Sequence, residues 1–503
     1  MAVLRKFAGQ TAIYGLSTIV ARLINFLLTP LFVRQFPTAL YGIFTYLYGW
    51  AAMIQAVLAF GMETTFFRFL QKHDDKARVL NNSFFVVLVI STLFLCVVFS
   101  NATGIATWLN NGQYDGDYVM YVRFFTLFLV ADALAVIPFA QLRAEGRAMR
   151  FAWLKLTNVV TLVALNLFFI VCIPWLLMHV PQTVPYIEGW YRPGWLGYVF
   201  IANLAASLLV LLLLLPELAK IRLRPDGALL REMFAYSFPI LIANISFIIN
   251  EYLDKLMIPK LLPGEQGISD NGIYGAVSKI AVFLSIAVQA FRLGAEPFFF
   301  SYAKNENARR TYAFIMDYFV IAMVLVMVGI TVNIEWLKYF IKGEDAEQQA
   351  LYWSGLHIVP ILLLNYVLLG VYMNLSVWYK LTDQTRFGLY ISGIGAIVTI
   401  VLNVILIPRY SYVGAVWVTA FAYGTMVVLS YVWGQQRYPI PYRVGKNITY
   451  ILAGVGICWL AFDVFDCHIV IGNLLFVLFA GIAIFLERNT LMAIWNKETG
   501  GKP

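Results

Sequence analysis

A small set of ionisable side chains stands inside or at the ends of long apolar stretches, where charge is expensive and marks function by default. The cations are Arg22, Lys255, Lys279 and Arg292, and the acids are Glu63, Glu296, Asp132 and Asp254. A cation in such a setting can hold an anionic group in a polar hollow. A carboxylate can take a proton, bind a coupling ion or latch a gate. Arg22 lies about 13 residues into the first apolar stretch, roughly 20 Å from its start at 1.5 Å per residue. Arg292 falls two positions before Gly294, and Glu63 and Glu296 each follow a glycine by two. The competing explanation is local pairing: Arg22 or Arg123 with Asp132, and Lys255 or Lys279 with Asp254.

Several of these residues recur at one offset. Tyr41-Gly42 returns as Tyr274-Gly275, Gly61 as Gly294, Glu63 as Glu296 and Phe66-Phe67 as Phe299-Phe300, each 233 positions on (274 − 41 = 233). The same offset pairs Pro30 with Pro263 and Arg22 with Lys255. Duplicated halves within a membrane are typical of transporters, with cargo handled where the repeats meet.

The elements that must position these groups follow from composition. Of 503 residues, 61% are hydrophobic and 13% charged, against about 25% charged in soluble domains. The apolar blocks run to about 20 residues, enough to cross ~30 Å of hydrocarbon as a helix, and do not alternate as barrel strands would. The expected spans are 9–33, 39–61, 83–108, 119–142, 153–177, 195–215, 234–258, 271–299, 312–336, 351–376, 387–408, 412–433, 447–467 and 469–487. The fold class is therefore an all-α integral membrane protein of about 14 transmembrane helices, arranged as two pseudo-symmetric six-helix lobes plus a C-terminal helix pair. The expected domains are residues 1–217, an amphipathic linker at 218–233, a second lobe at 234–436, and the added pair with its tail at 437–503. The start is read as a retained first helix, not a cleaved signal, because its apolar run ends in no small-residue cleavage site.

With the N-terminus inside, 25 of the 36 Lys and Arg fall on inner segments and 7 on outer ones. That bias places both termini in the cytoplasm. The net charge of +9 thus reflects orientation, since the cations form no single face for nucleic acid. No GxxxxGK[ST] occurs and no loop can hold a nucleotide-binding or catalytic domain, so no enzyme and no cofactor is expected. The four cysteines show no CxxC, the four histidines are scattered, and no metal site is expected.

Three stretches carry a likeness: FAYSFPILIANISFIINEYLDKLMI (234–258), NGIYGAVSKIAVFLSIAVQAFRLGAEPFFFSYAK (271–304) and QLRAEGRAMRFAWLKLTNVVTLVALNLFFI (141–170). They resemble the Wzx-type O-antigen and polysaccharide flippases of the multidrug/oligosaccharidyl-lipid/polysaccharide (MOP) exporter superfamily. The resemblance implies two six-helix lobes around a V-shaped cavity, whose cations hold the diphosphate of an undecaprenyl-linked oligosaccharide as it moves from inner to outer leaflet. Arg22 and Arg292 occupy comparable positions. It also implies a multi-pass protein of the bacterial plasma membrane, monomeric by default, with a polysaccharide polymerase as the partner a pathway would supply. The driving term is Na+, H+ or the membrane potential. The alternatives are a drug or cation antiporter of the multidrug-extrusion type, and a lipid II flippase of the same superfamily.

Overall fold

The computed structural model describes residues 19–498 except residue 22, with the side chains of residues 293, 296, 297, 301, 491 and 493–498 left aside. Among the described residues every regular element is helical and no strand occurs. Eleven of the described helices are long and apolar enough to cross a membrane, and Gly197–Leu213 is a shorter apolar helix. The 52-residue helix Arg386–Arg437 is interrupted at Ser411 (φ 49°, ψ −137°), so it contains two of the expected spans. Residues 9–18 and 22 of the first expected span lie outside the described residues. The set is compatible with about fourteen crossings. Leu452, Leu474 and Leu486 are 64%, 65% and 64% exposed, a surface stable only against lipid.

The chain divides into two compact units, Met1–Gly275 with Ser392–Ala415, and Ala276–Ile391 with Val416–Pro503. In the first, α1 (Thr38–Ala59), α2 (Met62–Lys72), α3 (Lys76–Ser100), α4 (Gly116–Ala144), α5 (Ala148–Leu167) and α6 (Gly197–Leu213) precede the long α7 (Gly227–Leu261). The helix α4 is central, packing against α1, α2, α3, α5 and α6. The start of α8 (Gly264–Tyr302) also belongs here.

Between α1 and α2, Phe60 and Gly61 both take left-handed backbone (φ 49° and 65°). Glycine tolerates that conformation freely, and the turn separates an apolar α1 from an amphipathic α2. Gly294, the repeat partner of Gly61, lies instead within the uninterrupted α8. The two copies therefore differ locally where their sequences agree.

The Tyr-Gly repeat marks a crossing of α1 with the start of α8. A Cβ added to Gly42 would stand 1.8 Å from the Ile268 carbonyl oxygen, and one on Gly272 would stand 1.9 Å from that of Thr38. The backbones touch because both residues lack side chains. Asn271 Nδ2 donates to the Gly42 carbonyl at 3.2 Å, and the Thr38 and Ser269 hydroxyls share a hydrogen bond of 2.7 Å.

The segment before α7, expected to lie on the membrane surface as a linker, is tied to α3. The Asn81 and Asn82 side chains accept from the Arg222 and Asp226 amides at 2.9 Å each, and Arg78 pairs with Asp226. Asp226 also caps α7, accepting from the Ala228 and Leu229 amides at 2.9 and 3.2 Å. This satisfies donors that a helix start otherwise leaves open.

The second unit holds α9 (Ala308–Val332), α10 (Val359–Leu375), the short α11 (Val377–Leu381), most of α12 (Arg386–Arg437), α13 (Val444–Trp459) and α14 (Ile469–Glu498). Both α13 and α14 pack on α9. A charge cluster joins them: Lys446 Nζ lies 2.7 Å from Glu487 and 3.8 Å from the buried Asp317, and Arg443 lies 3.8 Å from Asp317. The Tyr318 and Tyr450 hydroxyls donate to Glu487 at 2.9 and 3.3 Å.

Two outcomes are expected. Gly272→Ala lowers thermal stability in detergent by about 1–3 kcal/mol through overpacking, whereas Gly104→Ala, where an added Cβ meets nothing within 4 Å, leaves it unchanged. Lys446→Met leaves Asp317 and Glu487 short of their shared cation, at about 3–5 kcal/mol for a buried pair broken on one side. Hydrogen exchange should then rise in α13 and α14 before the rest of the second unit.

Candidate functional site

In the first unit a polar cluster lies within otherwise apolar helices. Asp132 on α4 is half-buried, with the Ser207 hydroxyl of α6 beside it. Tyr48 on α1 and Asn203 of α6 stand nearby. The cation acting on Asp132 is Lys155 of α5. Arg123, one of the partners expected from sequence, is exposed and does not act on it. Lys155 Nζ stands 4.3 Å from the centre of the Phe139 ring and 5.9 Å from that of Phe151, and those rings meet edge to face. Among the described residues no carboxylate comes within ion-pair distance of it. Glu63, at the start of α2, pairs with Arg143 of α4, whose guanidinium also lies 5.1 Å from the Phe67 ring centre. This ion pair links two helices of one unit.

In the second unit Arg292 of α8 is exposed and lines a small cavity with Asn374 of α10 and Lys380 of α11. Phe291, Phe299 and Phe319 supply its apolar wall. Its volume of about 20 Å³ admits one water, not a diphosphate, so the cavity positions the Arg292 stem and does not enclose cargo. No described carboxylate lies within ion-pair distance of Arg292. Lys279 is half-buried on α8. Glu296 continues the same helix, but its side chain lies outside the described residues, as does the whole of Arg22.

The third group lies near the far end of α7. Lys255 Nζ is 3.5 Å from Asp254, donates to the Glu251 carbonyl at 3.1 Å, and stands 5.1 and 5.2 Å from the ring centres of Tyr252 and Tyr274. Asp254 is buried and accepts from the Tyr274 hydroxyl. Lys255 thus has a local counter-ion, which, among the described residues, Lys155 and Arg292 lack. Among the described residues no three His, Cys, Asp or Glu side chains gather as a metal site.

Sequence reasoning passed over Lys155 and Lys380 because both fell among the inner-segment charges used to orient the chain. A signal was present for each. Lys155 stands inside its expected span, and Lys380 follows Arg147 by the repeat offset (380 − 147 = 233).

At the basic end of α5 the cluster is held by Glu217, 1% exposed, which lies 2.9 Å from Arg147 and 2.8 Å from Arg150. Burial alone would raise its carboxyl, but the Arg150 hydrogen bond and the charges of Arg150 and Arg147 hold it below the usual carboxylate range.

A family model described as polysaccharide biosynthesis protein matches residues 7–303, and one described as MatE matches residues 239–405. An uncharacterized membrane protein of Methanocaldococcus jannaschii is 20% identical over 472 residues, covering 88% of this chain and 86% of its own length. The lipid II flippase MurJ in an inward closed conformation aligns with a TM-score of 0.68 at 13% identity, over 95% of this chain and 99% of that one. The MATE multidrug transporter DinF-BH aligns at 0.61 and 17%, over 87% and 96%. A MOP superfamily transporter from Pyrococcus furiosus aligns at 0.55 and 14%, over 85% and 95%. At such identities the structural likeness concerns the fold alone.

The Glu217 geometry predicts an acid limb of stability. Its folded pKa lies below the ordinary 4.5, so its contribution is complete above that value and is lost as pH falls through the depressed one. Glu217→Gln should remove about 1–3 kcal/mol at neutral pH, its arginine partners being partly solvated. The difference from the parent should shrink on acidification when thermal unfolding is followed from pH 7 downward.

Proposed function

The chain belongs to the polysaccharide biosynthesis protein family, within the MOP superfamily, and on that premise we propose that it flips a lipid-linked oligosaccharide from the inner to the outer leaflet by alternating access. The cargo is an undecaprenyl-diphosphate-linked repeat unit of the O-antigen or a related polysaccharide, and the site of action is the bacterial plasma membrane with both termini cytoplasmic. One observation supports the choice of cargo: among the described residues, Lys155 and Arg292 stand in membrane helices without a carboxylate at ion-pair distance, whereas Glu63 and Asp254 are each paired. A transporter of cationic drugs needs the reverse, free carboxylates facing its cargo.

The physical task is to carry a diphosphate past hydrocarbon, where an unpaired ionised group costs tens of kcal/mol in a Born estimate. Fixed cations replace its water while the polyprenyl tail stays in lipid. An inward-negative potential favours outward passage of the anion by ~2.3 kcal/mol per charge per 100 mV. Arg292 in the second half and Arg22 in the first are the headgroup contacts expected from sequence. Coupling to Na+ or H+ adds to this term if an ion moves with the cycle.

The test is reconstitution in liposomes with a lipid-linked oligosaccharide, following headgroup exposure to an impermeant reagent. Arg22→Ala and Arg292→Ala should each slow flipping about tenfold or more, ~1.4 kcal/mol of lost stabilisation, with thermal stability unchanged. Parental rates in both variants would refute the cationic site. Efflux of a cationic dye without glycan movement would favour the antiporter reading instead.

A further inference from the structure

Among the described residues of the first unit, Lys155 and Asp132 form a charge cluster that neither orientation nor helix docking explains. The apposed elements are α1, α2, α4, α5 and α6, and the groups they contribute are few. Around Asp132 stand Tyr48 from α1, Ser207 from α6 and Lys155 from α5. Around Lys155 stand Asp132, Glu63 from α2 and Arg143 from α4. No charge of α3 acts on either, its Lys76 and Arg78 lying at the first turn of that helix.

Glu63 is already engaged by Arg143, and among the described residues neither it nor Asp132 comes within ion-pair distance of the ammonium. Lys155 rests instead on the face of Phe139. That contact supports a cation with its hydration partly removed while leaving its N–H donors unspent. It begins seven residues after Ala148, about 10 Å along α5, and Asp132 lies about 18 Å along α4 from Ala144. The ammonium therefore sits between the basic surface and the deeper carboxylate.

We propose that Lys155 is an anion-receiving residue of the first half, with Asp132 as a counter-ion that competes with the phosphate of the cargo for it. The proposal rests on the flippase reading and adds to it a residue and a sign. An ionised Asp132 lowers the positive potential at Lys155 and weakens phosphate binding. Protonation of Asp132, or its replacement by Asn, leaves the ammonium unopposed and strengthens it. By linkage, bound phosphate in turn favours protonated Asp132. Release of phosphate is then assisted wherever Asp132 loses its proton.

Binding to the purified protein in detergent tests this without transport, using farnesyl diphosphate, farnesol, inorganic pyrophosphate and phosphatidylglycerol micelles as probes. For farnesyl diphosphate, Lys155→Met should weaken binding about tenfold, Lys155→Arg should restore it, and Asp132→Asn should tighten it. The parent should bind more tightly as pH falls, and Asp132→Asn should lose that dependence. Farnesol binding should be the same in all variants, which reports that each is folded. Equal farnesyl diphosphate affinity in the parent and Lys155→Met would overturn the assignment of Lys155 alone. Weakened binding in Asp132→Asn would overturn the counter-ion role. An effect of Lys155→Met confined to phosphatidylglycerol would assign the residue to bulk lipid and remove it from the cargo path. A parent that binds no diphosphate at all would sink the flippase reading as well.

Discussion

A charge placed among apolar helices must find a partner, reach water, or wait for one to arrive, and the arrangement of this molecule follows from how each charge meets that demand. Asp317, Glu487, Lys446 and Arg443 satisfy one another and hold the last two helices to α9. Glu217 satisfies Arg147 and Arg150 at the basic end of α5. Asp254 is answered by Lys255 and by the Tyr274 hydroxyl. What is left over after these pairings is a short remainder of cations, and that remainder gives the protein its electrical character.

The remainder is distributed over both halves. Lys155 lies in the first unit on an aromatic face, and Arg292 lies in the second beside Lys380 and Asn374. Neither position resembles a closed cage of the kind that holds a resident ion. Among the described residues neither Lys155 nor Arg292 has a carboxylate at ion-pair distance, which is what the proposed binding of an anionic headgroup requires.

Much of the architecture was legible in the chain because membrane helices follow from apolar length alone, and the Ser411 break fell between two spans already separated on that ground. The Tyr41-Gly42 repeat was visible as a repeat, and its meaning as a backbone crossing emerged only with Ile268 and Thr38 placed against the glycines. The different fates of Gly61 and Gly294 were not readable, because identical glycines permit either a left-handed turn or a straight helix and the neighbours decide. Lys155 was hidden for another reason. Its charge served the orientation argument equally well, and although it stands inside its expected span, the sequence does not say whether its ammonium reaches water or folds back over Phe139. Pairing, likewise, is a property of three dimensions: Lys155 faces Asp132 from another helix, 23 positions away (155 − 132 = 23).

The crossing at Gly42 and Gly272 carries a consequence of its own. A seam made of main chain has no rotamers to flicker, so thermal motion of side chains cannot open a thread of water through it. Such a joint is either shut or fully parted, with little in between, since packed surfaces shift between discrete arrangements. A membrane transporter gains tightness against leakage from that crispness.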